Sequence, residues 1–108
     1  MNRKAKARAV LGRARDLVQR GWCQHAWARD VDGEWTADDD ENAASWCAMG
    51  ATVRAEHDLG LEPNSVWIDA VDVLERTLGT CCVDDYNDEP LRTKEDILRL
   101  FDEALQRK

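Results

Sequence analysis

The chain has 108 residues, of which 44% are hydrophobic and 34% charged, and its formal net charge is −7. A chain of this size forms one domain, residues 1–108, whose core needs neither disulfides nor a structural metal. The composition excludes a disordered chain, and no apolar run approaches the length that spans a bilayer or forms a signal-peptide core. We therefore expect a cytoplasmic protein whose four cysteines are reduced.

The charges are distributed unevenly along the chain. Residues 1–20 hold seven basic residues and one acid, a net charge of +6, so the total of −7 leaves −13 for the remainder. The acidic body argues against duplex DNA as a partner, because phosphate neutralisation drives that binding. The basic end could bind phosphates and the acidic body a basic protein, or the two could attract each other within one molecule.

The first predicted helix covers residues 3–20 and ends at Gly21. Its apolar residues recur at spacings of three and four and form one stripe: Ala7, Val10, Leu11, Ala14, Leu17 and Val18. The next stretch has no such stripe. Trp27 and Arg29, followed by Asp-Val-Asp-Gly and Trp35, predict a short β-hairpin that turns at Gly33.

A second helix is predicted from Glu41 to Asp58, because the acids at 38–41 suit the positive end of a helix dipole. A third is predicted from Asn64 or Ser65 to Gly79, with a core face of Trp67, Val71, Leu74 and Leu78. A fourth begins at Thr93, which forms a capping box with Asp96; its stripe is Ile97, Leu100, Phe101, Ala104 and Leu105. The fold class is therefore mainly α: a compact bundle of about four helices with a short hairpin between the first two.

Cys47 lies in the stretch "SWCAMGA", which places it inside the second predicted helix on the face of Gly50. Small residues at that spacing favour close backbone packing, with the cysteine as a small core residue. A nucleophile would need a neighbouring base, for which only His25 and His57 are available. The cysteine spacing fits no common zinc framework, so we expect no metal and no cofactor.

Arg54 shares the predicted face of Cys47 and Gly50, so its charge needs a partner. The expected partner is a carboxylate of the loop, Asp84, Asp85 or Asp88, with Asp88 the first choice. The alternative is an arginine at the edge of a pocket that binds an anion.

The connection "CCVDDYNDEPLR" between the last two helices is long and polar, and such loops are often functional. Its turn-forming residues also have a structural explanation. The residues that we single out as candidate ligand-binding groups are Trp22, His25, Trp27, Arg54, Tyr86, Asn87, Asp88 and Arg92.

The stretches "GWCQHAWARDVDG", "WCAMGA" and "YNDEPLRTKEDILRLFDEAL" resemble a family of small uncharacterised bacterial and bacteriophage proteins, a domain of unknown function. The matching residues are Gly21, Trp22, Cys47, Gly50, Ala51, Asn87, Asp88, Arg92 and Thr93. His25 departs from the family pattern, which has a small residue there. The resemblance implies a compact, mostly helical domain and no assigned activity or cofactor.

Three functions are compatible with these patterns. The first is a non-enzymatic module that binds another protein, which the missing catalytic constellation and the tryptophan-rich segment 22–46 favour. The second is a binder of a small, nucleotide-like anion, with Trp22, Trp27 or Trp46 stacking on a base and Arg54 or Arg29 holding a phosphate. The third is an enzyme that uses Cys47.

Overall fold

The computed structural model describes residues 1–107 and contains five helices and one two-stranded sheet in that range. In chain order the elements are α1 Arg3–Arg20, β1 Ala28–Arg29, β2 Ser45–Trp46, α2 Ala48–Asp58, α3 Trp67–Leu78, α4 Val83–Asp88 and α5 Lys94–Gln106. The predicted fold class, a mainly α bundle with a small β element, is confirmed.

Helix α1 is the centre of the bundle and packs against α2, α3 and α5. Its bounds agree with the prediction, and all six residues of its apolar stripe are buried. The opposing faces contribute Leu74 of α3 and Phe101 of α5, both fully buried. Thr93 caps α5 in the predicted capping box with Asp96. These three helices follow the sequence pattern because each has one continuous apolar face to bury.

The predicted start of the second helix is wrong, since α2 begins at Ala48 and not at Glu41. Ser45 and Trp46 instead form β2, which pairs antiparallel with β1 so that Trp46 lies opposite Ala28. The backbone N–H of Trp46 donates to Gly21 O at 3.0 Å, so this segment is held by distant backbone. The acids at 38–41 therefore lie in turns, and Cys47 is the N-cap of α2 rather than an interior residue.

The hairpin is present as one bridge between Arg29 and Trp35. Its turn has Gly33 at φ +81°, as predicted. The carboxylate of Asp30 accepts hydrogen bonds from the N–H groups of Asp32 and Glu34, at 2.9 and 3.0 Å. The loop backbone is thus fastened by its own side chain.

Gly50 lies where α2 meets the chain that leads into β1. A Cβ at this position would fall 2.0 Å from Trp27 O and 2.7 Å from Trp27 C. The expected close backbone approach at Gly50 is confirmed, and the backbone it meets is that of Trp27. Only a residue without a Cβ fits here without displacing main chain.

Two buried or partly buried carboxylates organise the helix starts. Glu56, almost fully buried, accepts the backbone N–H groups that precede and open α3, those of Asn64, Ser65, Val66 and Trp67, at 2.7–3.2 Å. Glu75 accepts the N–H groups of Cys82 and Val83 at the start of α4. Helix α4 itself lies in the connection that was predicted to be a loop.

Several basic residues of α1 pair with acids within the molecule. Arg13 bonds to Asp58 at 2.8 Å, Arg15 bonds to Asp102 at 2.5 Å, and Arg3 pairs with Asp69. Part of the charge asymmetry is therefore satisfied internally. None of the helices in residues 1–107 combines the length and the apolar character that a membrane crossing requires.

Candidate functional site

Asn87 of α4 is fully buried and joins three parts of the chain. Its Oδ1 accepts hydrogen bonds from Trp22 Nε1 at 2.8 Å and from the N–H of Ala48 at 3.0 Å. Its Nδ2 donates to Cys23 O at 3.1 Å and to Asp88 Oδ1 at 3.0 Å. Both acceptor positions and both donors of the amide are used, so Asn87 is a clamp with no free group for a ligand.

Asp88 and Gln24 extend this clamp to the surface. Asp88 Oδ1 accepts the backbone N–H of His25 at 2.9 Å, and His25 has φ +63°. Gln24 Nε2 donates to Asn87 O and Glu89 O, both at 3.0 Å. The imidazole of His25 is 69% exposed, and its Nδ1 lies 3.9 Å from Asp88 Oδ2. The contacts fix the main chain of His25 and leave its ring in solvent.

Cys47 is 3% exposed, and its Sγ accepts the N–H of Gly50 at 3.3 Å. Burial raises the pKa of the Cys47 thiol to about 12. A nucleophilic cysteine needs a pKa near or below neutral pH and access to its substrate. The geometry therefore favours Cys47 as a packed helix cap over Cys47 as a nucleophile.

The side chain of Arg54 is only 19% exposed and has a carboxylate partner, but the predicted identity of that partner is wrong. Its Nε donates to Asp58 Oδ1 at 2.8 Å, one turn along α2, and not to Asp84, Asp85 or Asp88. Its NH1 group donates to Asp38 O and Asp40 O at 2.9 and 3.1 Å. The guanidinium carbon also lies 5.5 Å from the ring centroid of Trp46. Arg54 holds the acidic turn against α2, and these contacts leave few of its guanidinium N–H groups free to bind an anion.

Arg92 and Tyr86 form a contact of their own at the end of α4. The guanidinium carbon of Arg92 lies 3.7 Å from the Tyr86 ring centroid, and its Nε donates to Tyr86 O at 2.9 Å. Arg92 also pairs with Glu89 at 2.5 Å. These contacts fasten the turn between α4 and α5, which is a structural role.

The structure thus brings together four of the predicted site residues, Trp22, His25, Asn87 and Asp88. Trp27 lies elsewhere and makes an edge-on contact with Trp67, at 6.2 Å between ring centroids. Most of the polar groups in the cluster bond to each other or to backbone. The cluster therefore positions the segment that leads into the hairpin.

Two strongly exposed apolar side chains lie on that hairpin, and the sequence interpretation did not single them out. Trp35 is 70% exposed and Val31 is 86% exposed. Ala28 is fully buried, whereas its chain neighbour Trp27 is 43% exposed, and Trp35 lies opposite Arg29 across the bridge. The signal in the sequence was an apolar pair within residues 30–41, which hold seven acids and no basic residue.

We call residues 28–36 together with the turn 38–44 the acidic hairpin surface. The two parts are in contact, because the N–H of Ala44 donates to Arg29 O at 2.8 Å. A shallow depression of about 380 Å³ lies between them. Its lining is Asp30, Val31, Asp32, Glu41, Asn42, Ala43 and Ala44. The depression combines three carboxylates with small apolar groups.

A second depression, of about 540 Å³, lies on the basic side of the molecule between α1, α3 and α5. Its lining is Arg3, Lys4, Ala7, Arg8, Leu11, Asp69, Asp72, Val73, Arg76, Ala104 and Arg107. Arg3 and Arg76 are paired with Asp69 and Asp72. Within residues 1–107 no three of the His, Cys, Asp and Glu side chains converge as a metal site requires.

The sequence model of a family of unknown function, DUF6197, matches residues 2–107. No curated protein and no solved structure matches the chain.

Proposed function

This chain belongs to the family of unknown function DUF6197, and we propose that it is a non-enzymatic protein-interaction module that binds through the acidic hairpin surface. The observation that carries the proposal is the position of Trp35, which projects into solvent from a hairpin whose backbone is locked. Tryptophan is strongly enriched among the residues that dominate binding energy at protein interfaces.

Rigidity of the hairpin supports this role. The Asp30 carboxylate holds the turn, Arg29 donates to Gly33 O at 2.9 Å and to Gln24 O at 3.1 Å, and the Asn87 clamp fixes the incoming chain. A side chain presented on a fixed backbone loses less conformational entropy when it is bound. The exposed tryptophan is thus pre-organised for a partner.

The charge of the surface indicates the chemistry of that partner. Residues 30–41, which include Val31 and Trp35, hold seven acids and no basic residue. Such a field attracts cations and repels nucleic acid. The partner that fits is a protein with an apolar pocket for Trp35 and a basic side chain that enters the depression lined by Asp30, Asp32 and Glu41.

The proposal is tested by comparing three forms of the immobilised protein in extracts of the cells that express it. Wild type, Trp35→Ala and Leu91→Ala are compared by quantitative mass spectrometry; Leu91 is an exposed apolar control outside the hairpin, 97% exposed. We expect at least one protein to be enriched by wild type and Leu91→Ala and lost with Trp35→Ala. A specific partner retained equally by all three would contradict the proposal.

The acids provide a second, independent test with the same partner. Asp32 and Glu34 are exposed, and their carboxylates make no hydrogen bond to the described residues. Asp32→Asn with Glu34→Gln should slow association and flatten its dependence on salt, since charges at an interface rim act mainly on the association rate. An unchanged association rate at low salt would remove the electrostatic part of the proposal.

A second candidate function is binding of a small anion. The basic depression between α1, α3 and α5 is a better site for the anion than the region around Arg54. Five basic and two acidic residues line it, and Lys4, Arg8 and Arg107 have no carboxylate partner within residues 1–107. Pyrophosphate is a suitable probe. It should raise the melting temperature of wild type and of the control Arg99→Gln but not of Arg8→Gln. Equal shifts in all three would mean that the ion acts non-specifically.

A further inference from the structure

Cys81 and Cys82 form an exposed pair of thiols between α3 and α4. Their Sγ atoms lie 2.7 Å apart, which is close enough for one thiol to donate to the other. The other two cysteines, Cys23 and Cys47, are buried. A reagent dissolved in water therefore reaches Cys81 and Cys82 first, and it meets both together.

The fold holds this pair in an unusual backbone conformation. Cys82 has φ +75°, in the left-handed region that side chains other than glycine seldom adopt. The carboxylate of Glu75 accepts the N–H groups of Cys82 and Val83 at 2.7 and 3.1 Å and so keeps the turn in place. Such conformations persist only where the surroundings enforce them, and they concentrate at functional sites and switches.

We propose that Cys81 and Cys82 are a redox modification site that a small peroxide closes reversibly to a disulfide between adjacent residues. A thiolate of one cysteine attacks the peroxide, the O–O bond breaks, and a sulfenic acid forms with release of water or an alcohol. The neighbouring thiol then attacks the sulfenic sulfur, so that the S–S bond forms, the S–O bond breaks and the hydroxyl leaves with the thiol proton as water. The two thiols lose two electrons and two protons, and the peroxide gains both.

The contact between the two sulfurs also affects the ionisation of Cys82. The hydrogen bond to Cys81 raises the pKa of the Cys82 thiol to about 11, with the charges of Asp84 and Asp85 adding to the shift. A thiol with a raised pKa is the less reactive nucleophile, so we expect the peroxide to react first at Cys81. In the second step the same contact places the Cys82 sulfur beside the sulfenic acid, so closure is intramolecular and does not need another molecule.

A disulfide between adjacent residues is easily reduced again. Neighbouring Cα atoms across a trans peptide are closer than the separation that unstrained disulfides prefer, and strained, exposed disulfides are the labile ones. The closed form is thus a reversible state and not a structural crosslink.

In the test, the reduced 108-residue chain is exposed to hydrogen peroxide and followed by intact-mass and peptide mass spectrometry. We expect the peptide containing Cys81 and Cys82 to lose the mass of two hydrogen atoms and to regain it with dithiothreitol. Cys23 and Cys47 should become available to alkylation only after unfolding. In the control Cys82→Ser, the peptide should not lose two hydrogen atoms. Cys81 should instead gain oxygen or form a disulfide with a second molecule.

Three outcomes would overturn the proposal. The first is that both thiols of wild type remain open to alkylation after peroxide treatment. The second is that they accumulate oxygen to the same extent as the single thiol of Cys82→Ser, with no closed form. The third is a disulfide that involves Cys23 or Cys47.

Discussion

Replacement of Gly50 by alanine tests the packing that holds the hairpin segment on α2. The new Cβ would lie 2.0 Å from Trp27 O, whereas real Cβ contacts start at about 3.0 Å, so backbone must move by about 1 Å. The obstructing atom is a carbonyl oxygen that also accepts the Cys47 N–H at 3.2 Å, so it cannot turn aside as a side chain could. Overpacking of this kind costs about 1–3 kcal/mol, and here we expect the upper end. Better helix propensity returns at most about 1 kcal/mol, which leaves a net loss of about 2 kcal/mol.

The matched control is Gly12→Ala in α1, where an added Cβ meets nothing within 4 Å. That substitution gains helix propensity without a clash and should stabilise the protein by up to about 1 kcal/mol. Urea unfolding followed by tryptophan fluorescence measures the free energy of unfolding of both variants. In thermal unfolding, Gly50→Ala should melt about 10 °C below wild type. A Gly50→Ala protein at least as stable as wild type would refute the close approach of α2 and Trp27.

Three further predictions concern buried or paired groups. Glu56→Ala should lower the free energy of unfolding in urea by about 3 kcal/mol, because it leaves the N–H groups at the start of α3 without an acceptor, and Glu56→Gln should lower it less. Equal stability of wild type and both variants would contradict the role of Glu56 as a cap of α3. Although burial opposes it, hydrogen bonds from Arg54 and Arg13 lower the pKa of Asp58. Ionised Asp58 therefore stabilises the fold above its unfolded pKa of about 4, and this contribution is lost as pH falls through the lower folded value. Asp58→Asn should lose that acid dependence in unfolding measured from pH 5 to 2, and an unchanged pH profile would exclude the linkage. Cys47 should react with a thiol reagent at pH 8 only as fast as the protein unfolds, and rapid labelling of the folded protein would show that it is accessible.

The helices that could be predicted from sequence are those that carry a continuous apolar face. The apolar stripes of α1, α3 and α5 are local patterns. Each of these helices can be predicted from its own residues, as α5 can from its cap at Thr93 and the apolar stripe that follows. The turn at Gly33 was also predictable, because its positive φ is a local demand on one residue.

The start of α2 could not be predicted from the local sequence. The acids at 38–41 resemble the first turn of a helix, but Ser45 and Trp46 pair with β1, and the N–H of Trp46 donates to Gly21 O, which lies far away in sequence. These non-local hydrogen bonds outweigh the local preference. Helix α4 has only six residues, too few for an apolar stripe, and depends on the Glu75 cap and the Asn87 clamp.

The site was predictable in part. The choice of Trp22, His25, Asn87 and Asp88 identified residues that do come together, although their contacts are structural. The partner of Arg54 was missed even though Asp58, four residues on along the helix, was the local option. Exposure of Trp35 depends on which face of the hairpin is covered, which is set by the packing of Ala28 and not by the sequence around Trp35.

Nuclear magnetic resonance of the indole N–H groups tests the proposed interaction most directly. Trp22, Trp46 and Trp67 donate to Asn87, Asp38 and Asn64, whereas Trp35 projects into solvent. On titration with the partner isolated by the enrichment experiment, the Trp35 indole signal should shift or broaden first, together with the backbone signals of residues 28–44. Changes confined to the basic depression around Arg8, with the Trp35 signal unmoved, would contradict binding through the acidic hairpin surface.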